Sequence, residues 1–361
     1  MPDGLSGTAT AFFLYDVGDA IDLARVRTLI DNTAPAQLPK VSASQIQYQQ
    51  PPVIIDVATL GTVEADGFRC RMKAFDYGVV SVALTRGLPD TWPALIADGR
   101  ALHESASAAA AAERLCRSFL DRVAPAVSRP RSTFLSEDYL VFHVTAAASE
   151  PSADELIAGH GQAIAQLLRA EHAPLSPQER EEVLRHRISY LASDLVVPTW
   201  NAAFIYDTEV GAQGTVELLE YANSQLLQFR YYDQLLDTEL GRIYAQLQAR
   251  GWARPWLGRR YTRAAHNVHS LFIDVNELTD KTENALKFAG DVYFARVFAL
   301  AGARLGLDQW KANVREKLQT LDDIYRFAVE QTSMARGEFL ELTIVLILVL
   351  ELVLFFAGIM K

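Results

Sequence analysis

The sequence predicts an α+β N-terminal domain followed by a helical hairpin/coiled-coil region and one C-terminal transmembrane helix. Three observations carry this reading. Short apolar runs rich in β-branched and aromatic residues fill the first 145 positions, and the apolar period changes to 3.6 after Glu150. The stretch from Phe339 to Met360 has only Glu341 and Glu351 as ionisable groups.

Strands are expected over 11–17, 53–60, 68–75, 79–85 and 139–145, each bounded by Gly, Pro or Asp. Asp76-Tyr77-Gly78 reads as a hairpin turn between two of them. Helices over 19–30 and 105–123 interleave with these strands, and a Pro/Gln-rich loop covers 34–52. Ser152 is placed to cap a helix to about Arg169. Ser176-Pro177-Gln178-Glu179 supplies a cap, a first-turn proline and a capping-box Glu for a helix to about Ser193. After a break at Val197-Pro198, a long helix over 215–249 carries Leu219, Ala222, Leu226, Phe229, Asp233, Leu236, Leu240, Ile243 and Leu247 at spacings of 3 and 4, a coiled-coil seam with one polar interruption. Helices over 266–301 and from Gln309 onward complete the pattern. The domain division that follows is 1–197 for the α+β domain with flanking helices, 198–337 for the helical stalk, and 338–361 for the anchor.

A helix from Phe339 to Met360 would span about 33 Å, enough to cross a bilayer. The N-terminus has no basic signal region and no Arg-rich presequence. These features predict a tail-anchored protein, single-pass at its C-terminus, with the bulk of the chain cytoplasmic and a bacterial inner membrane as its place. The formal net charge is −10 with 22% charged residues. Two cysteines, Cys70 and Cys116, form no CxxC, which excludes a disulfide framework or zinc knuckle. No GxxxxGK[ST], GxGxxG or GxSxG motif occurs, and no cofactor is expected.

The C-terminal stretch from Thr282 to Leu354 resembles the conserved end of the YagE/required-for-meiotic-nuclear-division family. The resemblance runs through Gly290-Asp291, Trp310, Leu321-Asp322 with Tyr325, Leu340-Glu341 and Glu351. Phe75-Asp76-Tyr77-Gly78-Val79-Val80 is similar to the family's aromatic-x-Tyr-Gly-Val-Val strand, and Glu137-Asp138 to its acidic pair, whereas 199–206 departs from its Trp-Glu motif. The resemblance implies a membrane-anchored protein of unknown function that forms large assemblies. Its mitochondrial members are linked to organellar translation, and it has no established catalytic residues.

Three groups of residues are candidates for function. Glu341, Leu348, Glu351 and Gly358 fall on one stripe of the last helix with Ile344 and Phe355, and a charge near mid-bilayer is tolerated mainly when it faces protein or water. That stripe is the expected self-association face in the membrane. Arg250, Arg254, Arg259, Arg260 and Arg263 interleave with Trp252 and Trp256 in a segment, 240–273, that holds no Asp or Glu after Leu240. Arginine with aromatics suits anionic lipid headgroups or, less well, RNA, and an ordinary inter-helix loop also explains it. His266 and His269, followed by Asp274 and Glu277, could share a helix face, but no second cluster completes a metal site.

These features predict a tail-anchored homo-oligomeric scaffold or tether without catalysis. The alternatives are a membrane-surface receptor for RNA or ribosomes, and a hydrolase with an unrecognised site in the α+β domain. The expected partners are a lipid bilayer, further copies of the chain and anionic lipid through the arginines, with RNA or the ribosome as the alternative.

Overall fold

The computed structural model describes residues 4–30, 50–56, 67–145, 151–250, 273, 275–276 and 292–356, the side chains of 246–250, 325, 327–340, 342 and 354–356 lying outside that set. The chain divides into two units, one comprising Met1–Tyr231 with Asp280–Trp310 and the other Tyr232–Thr279 with Lys311–Lys361.

Among the described residues the first unit is built on a seven-stranded sheet. Its strands are β1 (Gly7–Asp16), β3 (Val53–Asp56), β4 (Arg69–Ala74), β5 (Val79–Gly87), β7 (Leu135–Thr145), β8 (Leu195–Pro198) and β9 (Ala202–Asp207), in the order β3-β4-β5-β1-β7-β9-β8. Two short strands, β2 (Ala20–Ile21) and β6 (Val127–Ser128), pair separately. Every pairing in the large sheet is antiparallel except β7 with β9, where Leu140 lies opposite Ala202 and Thr145 opposite Asp207. That parallel pair requires a crossover, which α4 (Ala153–Arg169) and α5 (Pro177–Arg185) provide. At the β8 edge a bridge from Ile188 to Val196, together with Pro198, limits further pairing.

Period-two alternation sends each strand's side chains to two faces. One face contributes Ala9, Ala11, Met72, Val80, Val82, Leu140, Phe142, Phe204 and Tyr206 to the main core. That core is closed by α1 (Leu23–Leu29), α2 (Trp92–His103), α3 (Ala106–Val123), α4 and α5 through residues such as Val26, Leu95, Leu115, Phe119, Leu156 and Leu167. The caps are those the sequence marks: Ser152 closes a full capping box with Glu155, and the Ser176 hydroxyl accepts the Glu179 N–H ahead of Pro177. Helix α5 ends at Arg185 rather than near Ser193, because the next residues turn to reach β8.

The other face carries Phe12, Leu14, Tyr139, Val141, Ala203 and Ile205, together with buried Thr10, Asp16, Lys73, Ser81 and His143. It packs against α6 (Glu209–Arg250) over its length in the first unit and against α7 (Val292–Leu305). Helix α6 replaces the expected 215–249 helix with an earlier start, and Leu218–Phe229 is buried at every position.

In the second unit, α8 (Leu307–Phe356) runs alongside the distal part of α6, since Lys317 pairs with both Asp233 and Asp237 at 2.7 Å. Leu236, Ile243, Val314, Leu318 and Leu321 are buried there at heptad spacings. The coiled-coil seam of the sequence is therefore occupied within the chain over this stretch, and Asp233, its polar interruption, is matched by Lys317.

The expected transmembrane anchor requires correction. No helix among the described residues is long and apolar enough to cross a membrane. The structure thus supports a mixed α/β N-terminal region with C-terminal helices, and supports neither the transmembrane, tail-anchored class nor a single-pass location in a bacterial inner membrane.

The turn between β4 and β5 is held by the Phe75 N–H on the Val79 carbonyl at 2.9 Å, with Gly78 at φ +83°. A Cβ on Gly78 would meet the Gly18 carbonyl oxygen at 1.8 Å, where the chain leaving β1 crosses the hairpin. Gly78→Ala is therefore expected to destabilise the protein by about 2 kcal/mol or more in urea unfolding. Gly87→Ala, whose Cβ enters open space, is expected to stay within about 0.5 kcal/mol.

Candidate functional site

A fully buried helical stretch must satisfy every polar group it carries, and α6 carries several between Leu218 and Phe229. Glu220, Ser224, Gln228 and Tyr231 follow spacings of 4, 4 and 3, so they share one face, and that face meets the sheet. The Lys73 ammonium donates to the Glu220 carboxylate at 2.6 Å, with both side chains at most 3% exposed. Burial alone would raise the Glu220 carboxyl; Lys73, Arg71 and hydrogen bonds from Lys73 and Ser81 outweigh it and hold the group below its ordinary value. One turn on, the Ser224 hydroxyl donates to the Tyr221 carbonyl and lies 2.7 Å from the Tyr77 hydroxyl, which is then the donor of that pair. The Asp16 carboxylate, near Gln228, accepts from Arg131 Nε at 3.0 Å. Burial pushes the Asp16 carboxyl up against the opposing pull of Arg131. The same guanidinium pairs with Asp19 and lies 4.1 Å from the centre of the Tyr231 ring. Glu137 of β7 pairs with Arg230. The charged groups of this layer are paired within the fold, Lys73 with Glu220, Arg131 with Asp16 and Asp19, and Arg230 with Glu137, and these pairs orient α6.

A second polar cluster lies at the carboxyl ends of the parallel pair β7 and β9. Asp194, 6% exposed, accepts the N–H groups of Tyr190 and Leu191 and lies 3.5 Å from the Tyr293 hydroxyl. Asp207 accepts the Thr208 N–H at 2.6 Å, and His143 Nε2 lies 3.0 Å from the Asp207 carbonyl. Burial and the like charge of Asp194 raise the Asp207 carboxyl, against the pull of the Thr208 N–H; burial, Asp194 and Asp207 together push the Tyr293 hydroxyl up. Tyr190 packs its ring 5.4 Å from that of Tyr293 while staying 66% exposed.

No group of three or more His, Cys, Asp or Glu residues that could hold a metal occurs among the described residues. Cys70 and Cys116 are both free, and burial pushes the Cys116 thiol well above its ordinary value, away from nucleophilic reactivity. The His266, His269, Asp274 and Glu277 group lies outside the described residues, as do Trp252, Arg254, Trp256, Arg259, Arg260 and Arg263. Arg250 is the last residue of α6, its side chain outside the described set.

Of the expected association stripe, Glu341, Leu348 and Glu351 are on α8 and exposed, and Gly358 lies outside the described residues. Their surroundings are more informative than the stripe itself. From Ile344 to Val353 every residue is exposed, and all but Glu351 are Ile, Leu or Val, each 51–65% exposed. The pattern leaves no face of the helix polar.

Sequence reasoning missed Lys73, Glu220, Asp194 and Asp207. For the first pair a signal exists in the sequence: a stripe of Glu, Ser, Gln and Tyr beside the apolar seam of α6.

Two layered variants test the buried pair. Glu220→Leu leaves the Lys73 ammonium buried without its partner and is expected to cost about 3–5 kcal/mol in urea unfolding, while Lys73→Met/Glu220→Leu recovers most of that loss. Because the folded Glu220 carboxyl lies below its ordinary 4.5, its contribution is fully present above about pH 4.5 and is lost as pH falls through the depressed value. The stability difference between the parent and the double variant should change only in that acid range; a change near pH 7 would refute the assignment.

Comparison with known proteins corrects the family expected from sequence. Residues 6–213 match a family described as the N-terminal domain of the uncharacterized protein MJ0711. The MJ0711 protein of Methanocaldococcus jannaschii is 26% identical over 207 residues, 57% of this chain and 62% of that protein, so the chain spans less than two thirds of the relative it matches. No solved structure matches. Neither comparison shows the YagE/required-for-meiotic-nuclear-division family. The Tyr-Gly step of that resemblance is what the tight β4–β5 turn demands, and most of its other residues lie beyond the matched segment. On a match that runs from β1 into the first turn of α6, the chain belongs to the MJ0711 N-terminal domain family.

Proposed function

We propose that this chain is a non-catalytic, self-assembling scaffold whose C-terminal helix joins several copies. The observation that carries the reading is the all-round apolar exposure from Ile344 to Val353. Exposed apolar area of this kind marks an association surface. Burying the exposed halves of nine aliphatic side chains is worth roughly 1 kcal/mol each, comparable with the cost of immobilising a partner. A two-helix contact covers only one stripe, so all-round exposure favours a bundle of more than two copies, with Glu341, Leu348 and Glu351 on one of the buried faces. The distal α6 seam adds nothing to this contact where Lys317 and its neighbours already fill it.

Sedimentation velocity of the full chain tests the proposal. A particle several times the 40.0 kDa monomer is expected, and Ile344→Lys/Leu348→Lys should reduce it to a monomer without lowering the thermal midpoint of the sheet-containing unit. Glu351→Gln keeps hydrogen-bonding capacity and should leave the particle size unchanged. A monomer at tens of micromolar, or a monomer that floats with lipid vesicles instead of self-associating, would overturn it.

A further inference from the structure

We draw no further inference here: the strongest candidate, the polar cluster of Asp194, Asp207, His143 and Tyr293 at the carboxyl ends of β7 and β9, carries nothing further because its carboxylates already accept the N–H groups of Tyr190, Leu191 and Thr208 and no second feature among the described residues points to a ligand there.

Discussion

The second face of the sheet must be covered, and the helix that covers it is buried on every side from Leu218 to Phe229. An all-round buried helix has no hydrophobic stripe to fix its rotation, since any rotation about its axis would still bury apolar side chains. The Lys73–Glu220 pair supplies what the apolar residues lack. At 2.6 Å and nearly without exposure, it tolerates neither a rotation of α6 by one residue nor a slip of β4 by one position, because either change would leave a charge in the core. The Tyr77–Ser224 and Glu137–Arg230 contacts repeat the constraint farther along the helix. Specificity of packing, more than net stability, is what such a layer contributes.

Much of the first unit was legible because its elements are marked locally. Alternation in β1, β5 and β7, the Gly78 turn, and the caps at Ser152 and Ser176 each depend on a few adjacent residues. Strands β8 and β9 were not legible. Leu195–Pro198 ends in a proline and Ala202–Asp207 has a short apolar run after Trp200, so neither shows an alternation long enough to stand out, and the pairing of β9 with β7 joins residues some sixty positions apart. Helix α2 has no place in the sequence reading; its Pro93 sits in the first turn and its Gly99 has no room for a Cβ against Leu167 and Phe142.

The polar stripe of α6 shows why sites are harder to read than folds. Glu220, Ser224 and Tyr231 have the period of a solvated helix face, and only the partners Lys73, Tyr77 and Arg131, 100 to 147 residues away in sequence, reveal that the face is buried. The same logic applied in reverse to the seam beyond Asp233. An apolar stripe with one acid reads as a surface for another chain, yet Lys317 of the same chain meets that acid, and the stripe is filled from within.

Polar and apolar groups in this molecule thus fall into two kinds. The charges of the α6 layer are matched inside the fold, where they hold the sheet and the helix together. The apolar side chains of Tyr190 and Leu191 and of the last described turns of α8 are uncovered. Asp194 is committed to the backbone of its own loop, but the effect of that commitment is to hold Tyr190 and Leu191 out in water, where the hydrophobic effect opposes their position. A fold that uses a buried carboxylate to keep two large apolar side chains exposed forgoes the free energy of burying them. The apolar turns of α8 follow the same rule on a larger scale. Function in this protein is therefore sought at its uncovered apolar surfaces, in association rather than in the buried charges that the fold has already paired.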